Sequence, residues 1–412
     1  MRILHVIDSI NLRQGGPSVS VPALAEAQVK LGHVVTIVCR DYRHLGPMNH
    51  AEGVKIISVS GGRWNMRAGC FSPRFQRVVG EQSESSDIIH SHGLWTAAGY
   101  YARKALVAVK ERRQSIHLVV SPRGMLTPWA LQRSYWRKWI AWQLFERGNL
   151  EMVDLFHATS HEEAGQLQEA IQKKLKFRSK SPDTIKSVVV PNGVRVSNHL
   201  PERTVLEAKH PMLKKKKWIL FMSRIHPKKG LLELAKAWVG MRSDYPEWEL
   251  AIAGGEDDPD YARVVRNELK GAGVWLGEVQ HEDKWSALGN AGFLALPSYS
   301  ENFGIVVAES LAMSRPVLTT TETPWGAAKS PIKTRIRIKE NMSNESMNLE
   351  KKGCGVICEP GMAGVRMGLD KMLKMSEAKR DEMGKKGREW MQEDFSWEEA
   401  ASRVINAYEQ MV

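Results

Sequence analysis

The chain of 412 residues contains only four cysteines, Cys39, Cys70, Cys354 and Cys358. That is too few for a disulfide scaffold of this size, and the Cys354/Cys358 pair lacks the second pair or the histidines of a structural zinc site, so all four read as reduced thiols. No window approaches the roughly 18 uninterrupted apolar residues that a membrane-spanning helix needs. Met1–Asp8 (MRILHVID) runs straight into a strand pattern without the layout of a signal peptide. A cytoplasmic location is therefore expected, with the inner face of the cytoplasmic membrane as a candidate peripheral site. The G-x-G-x-x-G fingerprint is also missing, which argues against a dinucleotide ligand. What is present, 42% hydrophobic and 25% charged residues with 33 Gly and 18 Pro, is the composition of a large globular protein, and the length makes two domains the default.

Acidic residues are scarce in the first half. Residues 1–195 hold 27 Lys+Arg against 15 Asp+Glu, whereas the remainder holds 32 against 31. Such asymmetry points to a polyanionic partner, nucleic acid or an anionic membrane face, or else to a solvated basic surface.

Short runs rich in Val, Ile and Leu recur at 2–8, 34–39, 87–92, 117–121 and 155–160, separated by helical patterns. A second series follows at 218–223, 249–254, 274–277, 293–298 and 316–320. Alternation of this kind predicts α/β architecture with two open parallel sheets in tandem. The expected division is 1–195, 196–390, and a terminal segment 391–412 in which Phe395, Trp397, Ala401, Val404, Ile405 and Tyr408 fall at near-helical spacing. Pro191-Asn192-Gly193 through Lys217 reads as the connection, and the run Lys214–Lys217 as a solvated edge. The polar stretch Ser330–Lys352 reads as an inserted loop.

In open parallel sheets ligands sit outside the carboxyl ends of strands. Gly15-Gly16-Pro17-Ser18 follows the first strand and precedes a helix pattern, a place where the backbone can approach a ligand, although a plain tight turn fits equally. More informative is PSYSENFGIVVAESLAM (297–313). Glu309 interrupts an almost wholly apolar helix and must face a cleft or a cation, because an isolated buried carboxylate is costly. Glu301 lies eight positions earlier, and the amides of Phe303, Gly304 and Ile305 should project from the helix start. Carboxylates that accept from hydroxyls, beside amides that receive phosphate oxygens, suit a sugar-nucleotide. Arg224 and Lys229, in SRIHPKKG (223–230), flank another strand-to-helix turn and could neutralise a diphosphate leaving group.

Taken together, these residues resemble the glycogen-synthase-like retaining glycosyltransferases of family four, with the GT-B fold of two Rossmann-like domains facing across a cleft. The shared features are Gly15-Gly16, His90-Ser91-His92-Gly93, Pro191-Asn192-Gly193, Arg224 with Lys229-Gly230, the Glu301-x7-Glu309 signature and the terminal Phe395-Ser396-Trp397 helix. That helix crosses back to the first domain in the family. The resemblance implies a nucleotide diphosphate-sugar as donor, a glycan or lipid-linked acceptor, and no cofactor or metal. Glu309 would hold the donor ribose, Glu301 the donor sugar, and Arg224 and Lys229 the diphosphate. The backbone near Val279 would line the base pocket, and His92 would approach the transferred sugar. His90 shares a face with His92, but two histidines without a third ligand make a weak metal site. Ser314 departs from the family, which usually has Gly in the turn before Pro316-Val317.

After Ser121-Pro122-Arg123-Gly124 the segment PWALQRSYWRKWIAWQLFERG is dense in Trp and Arg, and Arg123 is a candidate ligand for an acceptor phosphate. On a helical wheel Trp129, Leu131, Tyr135, Trp136, Trp139, Ile140 and Trp142 form one broad arc. The arc is either the packed face of a long helix or a surface for a bilayer interface, which makes an anionic membrane a candidate partner. Among rival functions, a nucleic-acid-binding protein would leave Glu301 and Glu309 without purpose and shows no recognised motif. A sugar-binding protein that has lost transfer activity remains compatible with Ser314 and the insertion.

Overall fold

The computed structural model describes all residues except 63–70, 113–114, 133, 172–185, 198–199, 327–337 and 340–346. The chain divides into two compact units. The first contains Met1–Gly193 and Trp397–Val412; the second contains Val194–Ser330 and Asn344–Ser396. Among the described residues no helix is long and apolar enough to cross a membrane.

In the first unit lie β1 (Arg2–Ser9), β2 (Val34–Asp41), β3 (Lys55–Ser60), β4 (Ile88–His92), β5 (His117–Ser121), β6 (Leu155–Ala158) and β7 (Ser187–Val189). They form a parallel sheet in the order β7-β6-β5-β4-β1-β2-β3, extended beside β7 by a two-residue strand numbered β13 (Ile338–Lys339). The order reverses between β1 and β4, so the loops after these two strands diverge and leave a crevice at their carboxyl ends. Strand alternation sorts the core. Leu4 and Val6 belong to one buried cluster with Val38, Phe75, Ile89 and Leu118, while Ile3 and Ile7 belong to another with Val21, Leu24, Ile37 and Val119. The second cluster is covered by the helix Pro17–Lys30, which starts on a proline, and by the helix Trp397–Glu409. The latter buries Ala400, Ala401, Val404, Ile405 and Tyr408, so its apolar stripe closes the first unit's sheet.

The second unit carries β8 (Lys217–Met222), β9 (Trp248–Ala253), β10 (Val274–Gly277), β11 (Phe293–Leu296), β12 (Val317–Thr320) and β14 (Gly355–Cys358). All pair in parallel in the order β10-β9-β8-β11-β12-β14, and the reversal falls between β8 and β11. Near-continuous apolar runs such as Trp218–Phe221 and Phe293–Leu296 are buried on both faces, as a sheet covered on both sides by crossover helices requires. Most of the polar stretch 330–352 lies outside the described residues. Near its end Leu349 is buried and its amide donates to the Trp325 carbonyl at 3.2 Å.

Two of the sequence expectations need correction here. The Trp-rich segment is not one long helix: the helix Pro128–Gln132 ends before Ser134, whose φ of 55° breaks the run, and the next helix, Tyr135–Ala141, passes into a π-helical turn Trp142–Glu146. Its aromatic arc is not a packed face either, since Trp142 is buried while Trp129, Tyr135, Trp136, Trp139 and Ile140 are exposed.

Candidate active site

In the second unit the loops after the switch-point strands β8 and β11 are stitched together. Gly230, with φ 68°, lets the chain turn from β8 into the helix Leu231–Val239 while passing against the Pro297 carbonyl; a Cβ there would lie 2.1 Å from that oxygen. The Tyr299 amide donates to the Lys228 carbonyl at 2.9 Å. This closeness brings Lys229 to Glu301, with Nζ 2.5 Å from Oε1, and the Ser298 hydroxyl donates to the same carboxylate oxygen at 2.8 Å. Burial alone would raise the Glu301 carboxyl, but the charge and hydrogen bond of Lys229, with Ser298 adding to them, outweigh it and hold the group below the usual carboxylate range.

Glu309, on the helix Ile305–Ala312, is buried and accepts from Lys284 Nζ at 2.5 Å. Lys284 belongs to the helix His281–Asn290, which begins just after Gly277-Glu278-Val279, so the cation that satisfies Glu309 comes from the segment following the expected base pocket. Val279 itself is half-buried. Arg224 points elsewhere: it donates to Asp257 at 2.7 Å, and both side chains are exposed. The fold thus joins Lys229 to Glu301, Lys284 to Glu309 and Arg224 to Asp257. Sequence reasoning missed Lys284 and Asp257, because a lysine or aspartate in a polar helix or loop carries no signal of its partner.

Phe303 turns its ring into an aromatic cluster with Trp325 and Phe395, and its carbonyl accepts from the Trp325 indole. Gly304, at φ 79°, starts the helix that continues through Ile305, and its carbonyl accepts from the Val307 amide. The cluster fixes the backbone of this turn against the body of the unit. Ser314 occupies the left-handed region with φ 58°, the conformation for which glycine is preferred.

In the first unit Gly15 has φ 105°, and Gly16 stands at the start of the helix Pro17–Lys30. His5 and His90 are direct neighbours in the β1–β4 register, and His92 lies two residues farther along the same face. With His157 from β6 they make four buried imidazoles under the helices Pro17–Lys30 and Trp397–Glu409. The sequence suggested only a pair; the sheet supplies the third and fourth members.

The polarity of this network follows from groups that can only donate or only accept. The Val190 carbonyl accepts from His157 Nε2 at 2.9 Å, so His157 Nδ1 accepts the Ser121 hydroxyl at 3.0 Å. The Ser121 oxygen then accepts from His90 Nε2 at 2.8 Å, and His90 Nδ1 accepts the Tyr408 hydroxyl at 2.5 Å. Along the other branch Arg123 donates to His92 Nδ1 at 3.2 Å, His92 Nε2 donates to His5 Nδ1 at 2.8 Å, and His5 Nε2 donates to Gln28 at 2.7 Å. All four rings are neutral Nε2–H tautomers. Burial agrees with that assignment: it pulls His5 down to about 4 and His157 to about 3, and holds His90 and His92 well below the usual imidazole range, with Arg123 adding to each. His5, His90 and His92 are close enough together to grip a metal ion. Their ring nitrogens are already engaged in hydrogen bonds, however, and the guanidinium beside them opposes a divalent cation.

Arg123, with φ 55°, also donates to Asn192 at 2.9 Å, while the Gly124 amide donates to Glu163 at 2.6 Å. Burial lowers Arg123 to about 10. Its guanidinium is thus committed to His92 and Asn192 in this structure.

Residues 15–174 match the family model for a glycosyl transferase 4-like domain, and residues 202–390 match that for glycosyl transferases group 1. A glycogen synthase of Mycobacterium tuberculosis is 23% identical over 193 residues, and the chain spans 42% of that protein's length. The D-inositol 3-phosphate glycosyltransferase of Corynebacterium jeikeium is 24% identical over 343 residues, covering 74% of this chain and 75% of the relative. Anabaena HepE, solved in complex with UDP and glucose, superposes over the whole of both chains with a TM-score of 0.70 at 15% identity. The two family matches occupy most of both units, and the chain belongs to the glycogen-synthase-like glycosyltransferases of family 4, with the GT-B fold.

Proposed function

We propose that the protein moves a hexosyl group from a nucleotide diphosphate-sugar to a glycan or lipid-linked acceptor with retention of anomeric configuration, in the biosynthesis of a surface polysaccharide at the inner face of the cytoplasmic membrane. The observation that carries this reading is the Lys229–Glu301 pair, set where the second sheet reverses strand order. A carboxylate kept ionised and fixed by a lysine is prepared to accept hydrogen bonds from sugar hydroxyls, and the same lysine is prepared to meet diphosphate oxygens.

In this reading Glu301 binds the donor sugar, Lys229 and Arg224 bind the diphosphate, and the amides from Phe303 to Ile305 receive phosphate oxygens. Glu309 holds the ribose after exchanging Lys284 for hydroxyls, Arg224 leaves Asp257 for the phosphate, and the backbone at Val279 lines the base. The Gly15-Gly16 turn is assigned to donor binding. His92 meets the transferred sugar by yielding one ring nitrogen now engaged with Arg123 or His5, and Arg123 is the candidate for an acceptor phosphate. The acceptor hydroxyl attacks the anomeric carbon on the face from which the phosphate departs. The leaving phosphate oxygen takes the hydroxyl proton, so stabilising the developing phosphate charge is the main electrostatic task. This scheme assigns no step to a metal or cofactor.

A thermal-shift panel of UDP-, GDP- and ADP-sugars identifies the donor, because a ligand bound only by the folded state raises the melting temperature. With that donor, Arg224→Ala should reduce turnover about 10²–10³-fold, the usual cost of losing one well-placed donor to a developing anion. Glu301→Gln should act in the same direction. Near-normal transfer by either variant removes that residue from the mechanism, and a product of inverted anomeric configuration removes retention.

A further inference from the structure

The helix Tyr135–Ala141 and the turn Trp142–Glu146 bury one side only. Trp142, Phe145 and Glu146 face inward. Tyr135, Trp136, Trp139 and Leu144 are 67%, 62%, 55% and 74% exposed. Trp136, Trp139 and Ile140 share one side of the helix at i, i+3 and i+4, and Leu144 is exposed in the turn that follows, so the exposed groups form a stripe and not a scatter. A contiguous apolar surface of this kind marks an interaction site.

Charge selects the occupant. Residues 128–146 contain Arg133, Arg137 and Lys138 against a single acid, Glu146, and the next cation, Arg147, is paired with Glu151 at 3.2 Å. Glu146 is turned inward, where it accepts the Trp95 amide at 3.0 Å, and burial pushes its carboxyl up to about 8. The stretch therefore presents no carboxylate to its surroundings. The Arg137 guanidinium lies 5.1 Å from the Trp136 ring. Behind the stripe the buried Phe145 ring packs 5.7 Å from that of Phe71, which is exposed, and 6.0 Å from that of Tyr100, which carries Lys104 at 5.0 Å. The exposed indole and phenol rings of the helix Tyr135–Ala141, with Arg137 and Lys138 among them and no acid in the helix, match the headgroup layer of an anionic bilayer, where rings reach the acyl boundary and cations meet lipid phosphates.

We propose that this aromatic stripe docks the first unit into the headgroup region of an anionic lipid bilayer. The inference deepens the membrane part of the reading above and makes no use of the donor site. The test mixes the full chain with vesicles of phosphatidylcholine alone or with about 30% phosphatidylglycerol, at about 0.1 M and about 0.5 M salt, and measures flotation and quenching of Trp fluorescence by brominated lipid. Flotation with anionic vesicles at low salt is expected, weakened at least about tenfold at high salt. The Trp136→Ser/Trp139→Ser/Leu144→Ser variant should partition at least about tenfold less while keeping the wild-type melting temperature and donor-induced thermal shift. Met367→Ser, which removes an equally exposed apolar group from the second unit, should float like wild type.

Absence of flotation at low salt overturns the proposal, and so does flotation that the triple substitution leaves unchanged. Self-association abolished by the triple substitution, without vesicle binding, assigns the stripe to a second copy of the chain and also overturns it. Stripe-dependent vesicle binding by a protein that no nucleotide-sugar stabilises would uphold the docking face and remove the donor reading alone.

Discussion

Replacing Lys229 with Met tests the pair on which the donor site is built. Nζ lies 2.5 Å from Glu301 Oε1, and the two side chains are only 9% and 10% exposed, so solvent screens them little. Removing the lysine leaves a buried carboxylate with the Ser298 hydroxyl as its donor and the charge of Lys228 nearby. Breaking a buried pair from one side costs about 3–5 kcal/mol, and the low end, about 3, suits a loop that can relax. In a unit of this size each kcal/mol shifts the melting temperature by about 2–4 °C, so the variant's second unit should melt about 6–12 °C lower near neutral pH. The pH dependence has a definite sign. In wild type the Glu301 carboxyl is held below its unfolded value, so its stabilisation is present above that value and is lost as pH falls through the folded one. In the variant, burial unopposed by Lys229 raises the folded value above the unfolded one, so the penalty is full at neutral pH and shrinks as acid supplies the proton. Calorimetry at about pH 7.5 and about pH 5 should show the gap between the proteins narrowing with acid, and adding Glu301→Gln to the variant should recover most of the loss. A gap below about 1 °C at the higher pH, or one unchanged at the lower, would refute the assignment of an ionised, lysine-dependent carboxylate.

The imidazole network makes the first unit acid-sensitive. Burial lowers His5 from an ordinary 6.5 to about 4, so its contribution is complete above pH 6.5 and declines as pH falls toward 4, by up to about 1.4 kcal/mol per pH unit, with His90, His92 and His157 acting in the same direction. A first-unit melting temperature that stays flat across this window would contradict neutral buried rings. Tyr408→Phe removes the hydroxyl donated to His90 Nδ1 and should cost about 1–3 kcal/mol, read as faster amide exchange in the helix Trp397–Glu409; unchanged exchange would show that this hydrogen bond does not hold the helix. Ser314→Gly should gain up to about 1 kcal/mol in urea unfolding, because φ 58° strains a residue with a Cβ, and a loss of stability would show that the serine side chain outweighs the backbone.

Much of the architecture can be read from the sequence because buried parallel strands are written as Val/Ile/Leu runs, and β1, β2, β4, β5, β6 and β8 to β12 fall where those runs occur. The missed strands are physically weaker signals. The strand β3 is a half-buried edge reading KIISVS, β7 has three residues, and β14 has four beginning with glycine. At the site, spacing alone places Glu301 and Glu309 near one helix start, and the turn after β8 accounts for Lys229 as a partner. The pairing of Glu309 with Lys284 depends on how two helices lie beside each other, which no local pattern encodes. His5 and His157 were invisible for a related reason: a lone histidine in an apolar strand becomes part of a cluster only through the sheet's register. The Trp-rich arc shows the limit of periodicity. It locates a stripe but does not say which side of the helix meets the core when both carry aromatics, and the break at Ser134 with the π-helical turn shifts the phase.

The helix Trp397–Glu409 has a consequence for biosynthesis. It covers one face of the first sheet and supplies the phenol that ends one branch of the histidine network, yet it emerges from the ribosome only after every residue of the second unit. During translation the amino-terminal sheet must therefore wait, with Ile3, Ile7 and Val119 lacking part of their cover, until the later unit has been synthesised. A nascent chain stalled or cut short before residue 397 would expose that face to chaperones and proteases, although every strand of both major sheets had already been made.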